Sequence, residues 1–238
     1  MAELRGQGNL ALLLPAEAAF LGRSVPTRAQ EFAAGRVCAR RALADFGLED
    51  FPIERAADRQ PIWPHGMVGS ITHTVGFCAA VVAARTTAAA IGLDSEGVGG
   101  TPLGGTPLGG TRLGGIPPGA TGPGSARARG VKPHLWPSIC VAPEIEWLGT
   151  LPESQRIPAA TLIFSAKEAF YKCQYPLTQQ RLGFHDARVE LLEWNGQCGS
   201  LAIAATRSIA FAAHAPLPLT GRFLFHEEFV TTGVFVPA

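Results

Sequence analysis

Apolar residues near position 170 recur with the period of a helix. Four of them fall at i, i+3, i+4 and i+7: Ala166, Ala169, Phe170 and Cys173. This stripe predicts an amphipathic helix that packs one face against a core. Ser165 and Glu168 have the spacing of a capping box, which predicts that the helix begins at Ser165. The opposite face is predicted to carry four polar side chains: Lys167, Glu168, Tyr171 and Lys172.

Residues 91–96, IGLDSE, form a short apolar run that ends in two carboxylates. Side chains alternate between the two faces of a strand, so Asp94 and Glu96 are predicted to share one face, about 7 Å apart. Two oxygen ligands on one face suit Mg²⁺, and Glu168 of the predicted helix would supply a third. Capping boxes and Glu–Lys pairs are also ordinary helix stabilisation, so neither segment identifies a site by itself.

Ser95 lies between these carboxylates and is predicted to point the opposite way, into the core. A buried hydroxyl without a partner costs about 1–3 kcal/mol. The sequence therefore predicts that Ala or Val at position 95 would stabilise the protein.

A helix is also predicted near the N-terminus, after a strand at 10–14. Thr27 and Gln30 have capping-box spacing, and Gly47 is a natural stop. Arg36 and Arg40 lie one turn apart on this helix, where two cations repel each other unless an anion lies between them. A solvated helix face is the ordinary interpretation of such a pair.

The Pro- and Gly-rich residues 59–73 predict a loop that turns into a strand. Thr72 and His73 then begin a strand-like run that continues to residue 84. Further along, residues 144–156 predict a helix and a turn. Short apolar or alternating runs predict four more strands, at 188–194, 200–206, 222–229 and 231–236.

Residues 97–131 differ from the rest of the chain. They contain TPLGG twice and TRLGG once in tandem, followed by more Gly and Pro. A segment with so few large apolar residues cannot bury enough surface to offset its ordering entropy, so we expect a flexible insertion.

Composition and charge narrow the class of protein. The chain has 238 residues, 47% of them hydrophobic and 16% charged, which is typical of a globular protein. A net charge of +1 provides no basic stripe for nucleic acid, and no apolar window is long enough to span a membrane. Five widely spaced cysteines without a C-x-x-C pair favour reduced thiols and a cytoplasmic protein.

The segments GLDSE at 92–96 and FSAKEAFYK at 164–172 together resemble the paired signature of the 4′-phosphopantetheinyl transferases. Other short motifs of this chain resemble those of one subgroup, which includes enterobactin synthetase component D and the Sfp-type enzymes, and they follow one another in the same order. They are GRVCARRAL at 35–43, RQPIWPHG at 59–66, GSITH at 69–73 and YPLTQQRLGFHD at 175–186.

The resemblance implies an α+β fold of two similar halves related by a pseudo-twofold, with the active site in the cleft between them. On this basis we expect an N-terminal half at 1–97, a low-complexity insertion or linker at 98–131 and a C-terminal half at 132–238. A chain that carries both halves is expected to act as a monomer.

The function implied by the resemblance is transfer of phosphopantetheine from coenzyme A to a serine of an apo acyl or peptidyl carrier protein. Siderophore, polyketide, nonribosomal peptide and fatty-acid biosynthesis all use such carriers. Asp94, Glu96 and Glu168 would hold Mg²⁺, Glu168 would accept the serine proton, and Lys172 would stabilise the pyrophosphate. The residues expected to contact coenzyme A are Arg36, Arg40, Arg59, Pro61, Thr72, His73, Asp94, Lys167 and Lys172.

Two alternatives remain open from the sequence. A different Mg²⁺-dependent phosphate enzyme could use the same carboxylates but would need an arrangement that activates water. The other alternative is a carrier-binding protein that has lost catalysis.

Overall fold

The computed structural model describes residues 1–22, 25–98, 130–226 and 228–238. Most of the predicted insertion therefore lies outside the described residues. The α-helices are α1 (Pro15–Ala18), α2 (Pro26–Ala44), α3 (Trp136–Ile139), α4 (Ala142–Thr150) and α5 (Glu153–Thr178). The strands are β1 (Ala2–Arg5), β2 (Met67–Thr74), β3 (Phe77–Ala84), β4 (Ala88–Gly97), β5 (Ala187–Trp194), β6 (Cys198–Ala205), β7 (Leu219–His226) and β8 (Phe229–Pro237).

These strands form two antiparallel sheets, each packed against one long helix. The first has the order β1-β3-β2 and contacts α2, whereas the second has the order β4-β8-β7-β6-β5 and contacts α5. Each helix and sheet enclose a separate apolar core, centred on residues such as Leu43 and Ile53 in the first and Phe170 and Leu201 in the second. The predicted α+β fold of two halves is confirmed.

A repeated polar arrangement supports the similarity of the halves. Glu17 accepts the backbone N–H of Leu14 and binds the guanidinium of Arg40, which also reaches the carbonyl of Leu12. In the second half, Glu144 accepts the N–H of Val141 and binds Lys167, which also reaches the carbonyl of Ile139. The sequence separations of 3, 23 and 28 residues are the same in both halves.

The fourth strand connects the two halves. β4 lies inside the predicted N-terminal half but pairs with β8, in the second sheet. Its other edge faces β2 of the first sheet. The division at 1–97, 98–131 and 132–238 stays a prediction, and β4 places the candidate ligands Asp94 and Glu96 at the junction.

Both capping-box predictions are wrong. The long helix α5 begins at Glu153, so Ser165 lies inside it, because the apolar stripe continues upstream through fully buried residues such as Ala159 and Leu162. Helix α2 begins at Pro26, one residue before Thr27, with Val25 as its N-cap.

The predicted strand at 10–14 is also wrong. A 3-10 turn occupies Leu10–Leu12, and the first strand is instead β1, which pairs with β3. The predicted run from Thr72 to residue 84 contains two strands, β2 and β3, separated by a turn in which Gly76 has a φ of 79°. The four predicted C-terminal strands are confirmed as β5 to β8.

None of the helices among the described residues is long and apolar enough to cross a membrane. All five cysteines are free thiols, and only Cys198 is exposed.

Candidate active site

A cleft of about 1180 Å³ lies between the two halves. Its walls come from α2, the loop at 55–66, β2, and the C-terminal part of α5. Among the described residues, seven arginine and lysine side chains line it: Arg28, Arg36, Arg55, Arg59, Arg85, Lys172 and Arg181. The acids Glu31 and Asp58 balance only part of this charge. The cleft therefore favours a ligand with several negative charges, such as a nucleotide with multiple phosphates.

Lys172 connects this cleft to the predicted metal ligands. Its Nζ lies 2.7 Å from Asp94 Oδ1 and also donates to the carbonyl of Leu93 at 3.2 Å. Asp94 is buried, and its second oxygen, Oδ2, has no hydrogen-bond partner among the described residues. An uncompensated carboxylate oxygen in a buried position is costly unless a cation or donor reaches it.

Glu96 and Glu168 add negative charge beside Asp94. Burial, followed by repulsion from Asp94 and Glu168, raises the pKa of Glu96 to about 8. Burial and repulsion from Asp94 also raise the pKa of Glu168. Asp94 thus disfavours the ionisation of both glutamates, and a divalent cation beside the three carboxylates would relieve this repulsion.

The side chains are not grouped as a finished metal site. In the described part of the chain, no three or more His, Cys, Asp or Glu side chains form a cluster that could hold a metal ion. Lys172 instead balances the charge of Asp94. By donor type and by the unpartnered Asp94 Oδ2, the three predicted ligands nevertheless fit Mg²⁺.

Two residues predicted to contact coenzyme A, Arg36 and His73, lie in the wall of the cleft formed by α2 and β2. The Arg36 guanidinium stacks over Phe32 at 4.1 Å and donates to the carbonyl of Ile53 at 2.7 Å. Burial lowers its pKa to about 10, so it keeps its charge at neutral pH. His73 Nε2 lies 2.8 Å from the Arg28 guanidinium, and burial together with Arg28 lowers the pKa of the imidazole.

Seven of the nine predicted contact residues lie in or beside the cleft. Arg36, Arg59, Pro61, His73 and Lys172 line the cleft. Thr72 and Asp94 are buried beside it, where Thr72 Oγ1 lies 3.4 Å from Asp94 Oδ1.

Lys167 and Arg40 do not line the cleft, and the structure does not support their predicted contacts with coenzyme A, which stay a prediction. The Nζ of Lys167 is buried against Glu144 and the carbonyls of Ile139 and Phe184. Arg40 is held by Glu17 and the carbonyl of Leu12. Each cation forms its ion pair and hydrogen bonds inside its own half.

The predicted destabilisation by Ser95 assumed a buried hydroxyl without a partner, and this assumption is wrong. Ser95 is fully buried as expected, but its Oγ lies 2.8 Å from Thr231 Oγ1. His226 Nε2 lies 2.8 Å from the same Thr231 oxygen. The hydroxyl therefore has a partner, and the expected gain from Ala or Val no longer follows.

Several basic residues of the cleft were not predicted from the sequence: Arg28, Arg55, Arg85 and Arg181. They come from four separate segments, and no spacing in the chain relates them. Only the fold, which brings α2, two loops and the region after α5 together, shows that they face one space.

Two family profiles match different parts of the chain. The sequence profile of the 4′-phosphopantetheinyl transferase N-terminal domain matches residues 16–83. The profile of the 4′-phosphopantetheinyl transferase superfamily matches residues 125–224. The two matches fall on either side of β4.

Several curated proteins are similar to the chain, among them two named 4′-phosphopantetheinyl transferases and an enterobactin synthase component. The 4′-phosphopantetheinyl transferase Npt of Nocardia iowensis is 36% identical over 226 residues, which cover 92% of this chain and 87% of the relative. The 4′-phosphopantetheinyl transferase Svp of Streptomyces mobaraensis is 36% identical over 76% of this chain, and the match spans only 61% of that relative. Enterobactin synthase component D of Salmonella typhimurium is 29% identical over 69% of this chain and 56% of its own length.

Proposed function

Because the chain belongs to the 4′-phosphopantetheinyl transferase superfamily, we propose that it transfers phosphopantetheine from coenzyme A to a serine of an apo carrier protein. The observation that carries this proposal is the position of Lys172. Its Nζ lines a strongly basic cleft and at the same time lies 2.7 Å from Asp94, beside two further carboxylates. A pyrophosphate bound in the cleft would therefore place the bond that breaks beside these carboxylates, which can bind a divalent cation.

Asp94, Glu96 and Glu168 would hold Mg²⁺ in this proposal, with Asp94 Oδ2 as an available oxygen. When bound, Mg²⁺ neutralises charge that develops on the pyrophosphate as it is cleaved. Arg28, Arg36 and the other cations of the cleft would bind the remaining phosphates of coenzyme A.

The reaction forms one bond and breaks another. The serine oxygen of the carrier attacks the phosphorus that bears the pantetheine arm, and 3′,5′-ADP leaves with the bridging oxygen. Glu168 would accept the serine proton, since a raised pKa brings a carboxylate closer to the working range of a general base. Lys172 would stabilise the negative charge on the leaving group.

A carrier that supplies an acidic surface around its serine would suit the basic mouth of the cleft. One chain provides both walls of the cleft, so we propose a monomer. The experiment therefore compares carriers from siderophore, polyketide, nonribosomal peptide and fatty-acid biosynthesis.

The test is the intact mass of apo acyl and peptidyl carrier proteins after incubation with this protein, coenzyme A and Mg²⁺. Transfer adds about 340 Da to the carrier, the mass of a phosphopantetheinyl group. Glu168→Gln should abolish the gain, and so should EDTA. Glu153→Gln on the same helix is the matched control, because Glu153 is exposed in the first turn and should leave transfer unchanged.

Failure of transfer to every carrier, with coenzyme A still bound, would contradict the proposal and favour a carrier-binding protein. Release of 3′,5′-ADP and phosphopantetheine from coenzyme A without a gain in carrier mass would favour a hydrolase. Transfer that persists in EDTA would contradict the metal site alone.

A further inference from the structure

The edges of the two sheets meet along β2 and β4 through side chains. Ser70 Oγ of β2 accepts the backbone N–H of Leu93 at 3.0 Å, and Thr72 Oγ1 accepts the N–H of Ser95 at 2.8 Å. The bonded positions advance by two residues on both strands, so β2 and β4 run parallel at this junction. Two hydroxyls thus occupy the place of a backbone ladder between the halves.

This junction is buried and polar. Ser70 is 4% exposed and Thr72 is 1% exposed. β4 is an edge strand of its sheet, and its free N–H groups would be costly to bury without acceptors. The two hydroxyls supply these acceptors and fix the strand that carries Asp94 and Glu96 against the first half.

Thr72 also lies beside one oxygen of Asp94. Because its Oγ1 accepts from Ser95, its own hydroxyl proton is free to point toward Asp94 Oδ1, 3.4 Å away. Lys172 holds the same oxygen at 2.7 Å. Asp94 Oδ1 is therefore occupied from two sides, and Oδ2 is the oxygen without a partner.

We propose that Ser70 and Thr72 are positioning residues for the cation site: they hold β4 in register and orient Asp94 so that Oδ2 faces the divalent cation. This assigns Thr72 a different role from the contact with coenzyme A that the sequence resemblance implies. The assignment rests on the proposed function only in taking the three carboxylates as the place where the cation binds.

The experiment measures the cation and coenzyme A separately. Mn²⁺ binding to the whole protein is followed by the EPR signal of free Mn²⁺, and coenzyme A binding is measured by calorimetry in EDTA. Loss of a partner that orients a metal ligand typically weakens metal binding by 10- to 100-fold, so Thr72→Val should weaken Mn²⁺ binding by about tenfold. It should leave the affinity for coenzyme A unchanged, and Thr72→Ser, which keeps the hydroxyl, should restore Mn²⁺ binding.

Thr74→Val is the matched control, since Thr74 lies on the same strand two residues further and is only half-buried. It should bind Mn²⁺ like the wild type. Ser70→Ala provides a second variant in case Thr72→Val does not fold, and it should weaken Mn²⁺ binding in the same direction through the loss of the Leu93 bond.

Three results would overturn the inference. Weaker coenzyme A binding with normal Mn²⁺ binding in Thr72→Val would make Thr72 a phosphate ligand. Wild-type Mn²⁺ affinity in both Thr72→Val and Ser70→Ala would remove the positioning role, even if the wild type transfers phosphopantetheine. Failure of Thr72→Ser to restore Mn²⁺ binding would show that the hydroxyl is not the cause.

The converse outcome separates the two proposals. Selective loss of Mn²⁺ binding in the variants, in a protein that modifies no carrier, would support the positioning role and contradict the proposed transfer.

Discussion

Lys167 Nζ lies 2.7 Å from Glu144 Oε2, and both side chains are 2% exposed. The next residue, Glu168, is half-buried on a different side of α5, near Asp94 and Lys172. Lys167 and Glu168, although adjacent in the sequence, therefore have different roles. Lys167 connects α5 to α4 and the segment before β5, and Glu168 belongs to the candidate site.

Lys167→Met should destabilise the protein without affecting the cleft. Removal of one partner from a buried ion pair leaves a charge without compensation and costs about 3–5 kcal/mol. Glu144 would keep its bonds from the N–H groups of Val141 and Val189, so the lower end of that range is expected. Urea unfolding measures the free energy, and calorimetry on the folded variant should give a wild-type affinity for coenzyme A.

Lys132→Met is the control for this substitution, because Lys132 forms no ion pair among the described residues. It should unfold within a few tenths of a kcal/mol of the wild type. A Lys167→Met variant with normal stability but weakened coenzyme A binding would place Lys167 at a phosphate after all.

The sequence predicted the parts of the site that share a local pattern. Asp94 and Glu96 follow from strand alternation, and Glu168 and Lys172 follow from helical spacing together with the family resemblance. The errors arise where a distant partner decides. Lys167 is paired with a residue 23 positions away, and Ser95 is paired with Thr231, 136 positions away. No periodicity in the chain encodes such contacts.

Local signals also failed where packing was stronger. Ser165 has a capping-box spacing worth about 1 kcal/mol, but the apolar run 159–163 buries several side chains on the upstream turns of α5. The helix therefore continues through Ser165 and leaves its Oγ buried without a partner among the described residues. The basic cleft residues Arg28, Arg55, Arg85 and Arg181 could not be grouped until the fold placed them together.

The protein should take up a proton when it binds coenzyme A at neutral pH. The pKa of His73 lies below its ordinary value because of burial and the nearby Arg28, so the free imidazole is neutral at pH 7. A bound phosphate would favour the charged imidazole and raise that pKa. Binding should then strengthen as the pH falls toward 6, since the complex holds more protons than the free protein.

Calorimetry in buffers of different ionisation enthalpy measures this proton uptake directly. His73→Gln should bind coenzyme A more weakly and show no uptake. His185→Gln is the control, because His185 is exposed near β5 and is not a cleft residue. Uptake that persists in His73→Gln would assign the proton to another group.

Ser95→Ala should destabilise the protein, in contrast to the expectation from the sequence. The substitution removes the 2.8 Å contact with Thr231, and a hydrogen bond of this kind contributes about 1 kcal/mol. Thr231 keeps its contact with His226, which limits the loss. Thermal and urea unfolding measure the effect, with Ser208→Ala in an exposed loop as the control. A higher melting temperature for Ser95→Ala would restore the original expectation.

Gly92 of β4 lies directly against the backbone of α5, and Gly92→Ala should disrupt both stability and the site. A Cβ at this position would lie 1.8 Å from the carbonyl oxygen of Ala169, which belongs to helix backbone that cannot rotate away. The helix must therefore shift relative to the strand, moving Glu168 and Lys172 away from Asp94. A cost of several kcal/mol and at least a tenfold loss of Mn²⁺ affinity are expected, on the order of effects seen for overpacked cores and misplaced ligands.

Gly149→Ala is the matched control, because a Cβ on Gly149 in α4 would meet nothing within 4 Å and should raise helix stability slightly. Unfolding experiments and Mn²⁺ titration together decide the matter: a stable Gly92→Ala protein with normal Mn²⁺ binding would show that this close packing does not set the geometry of the carboxylates.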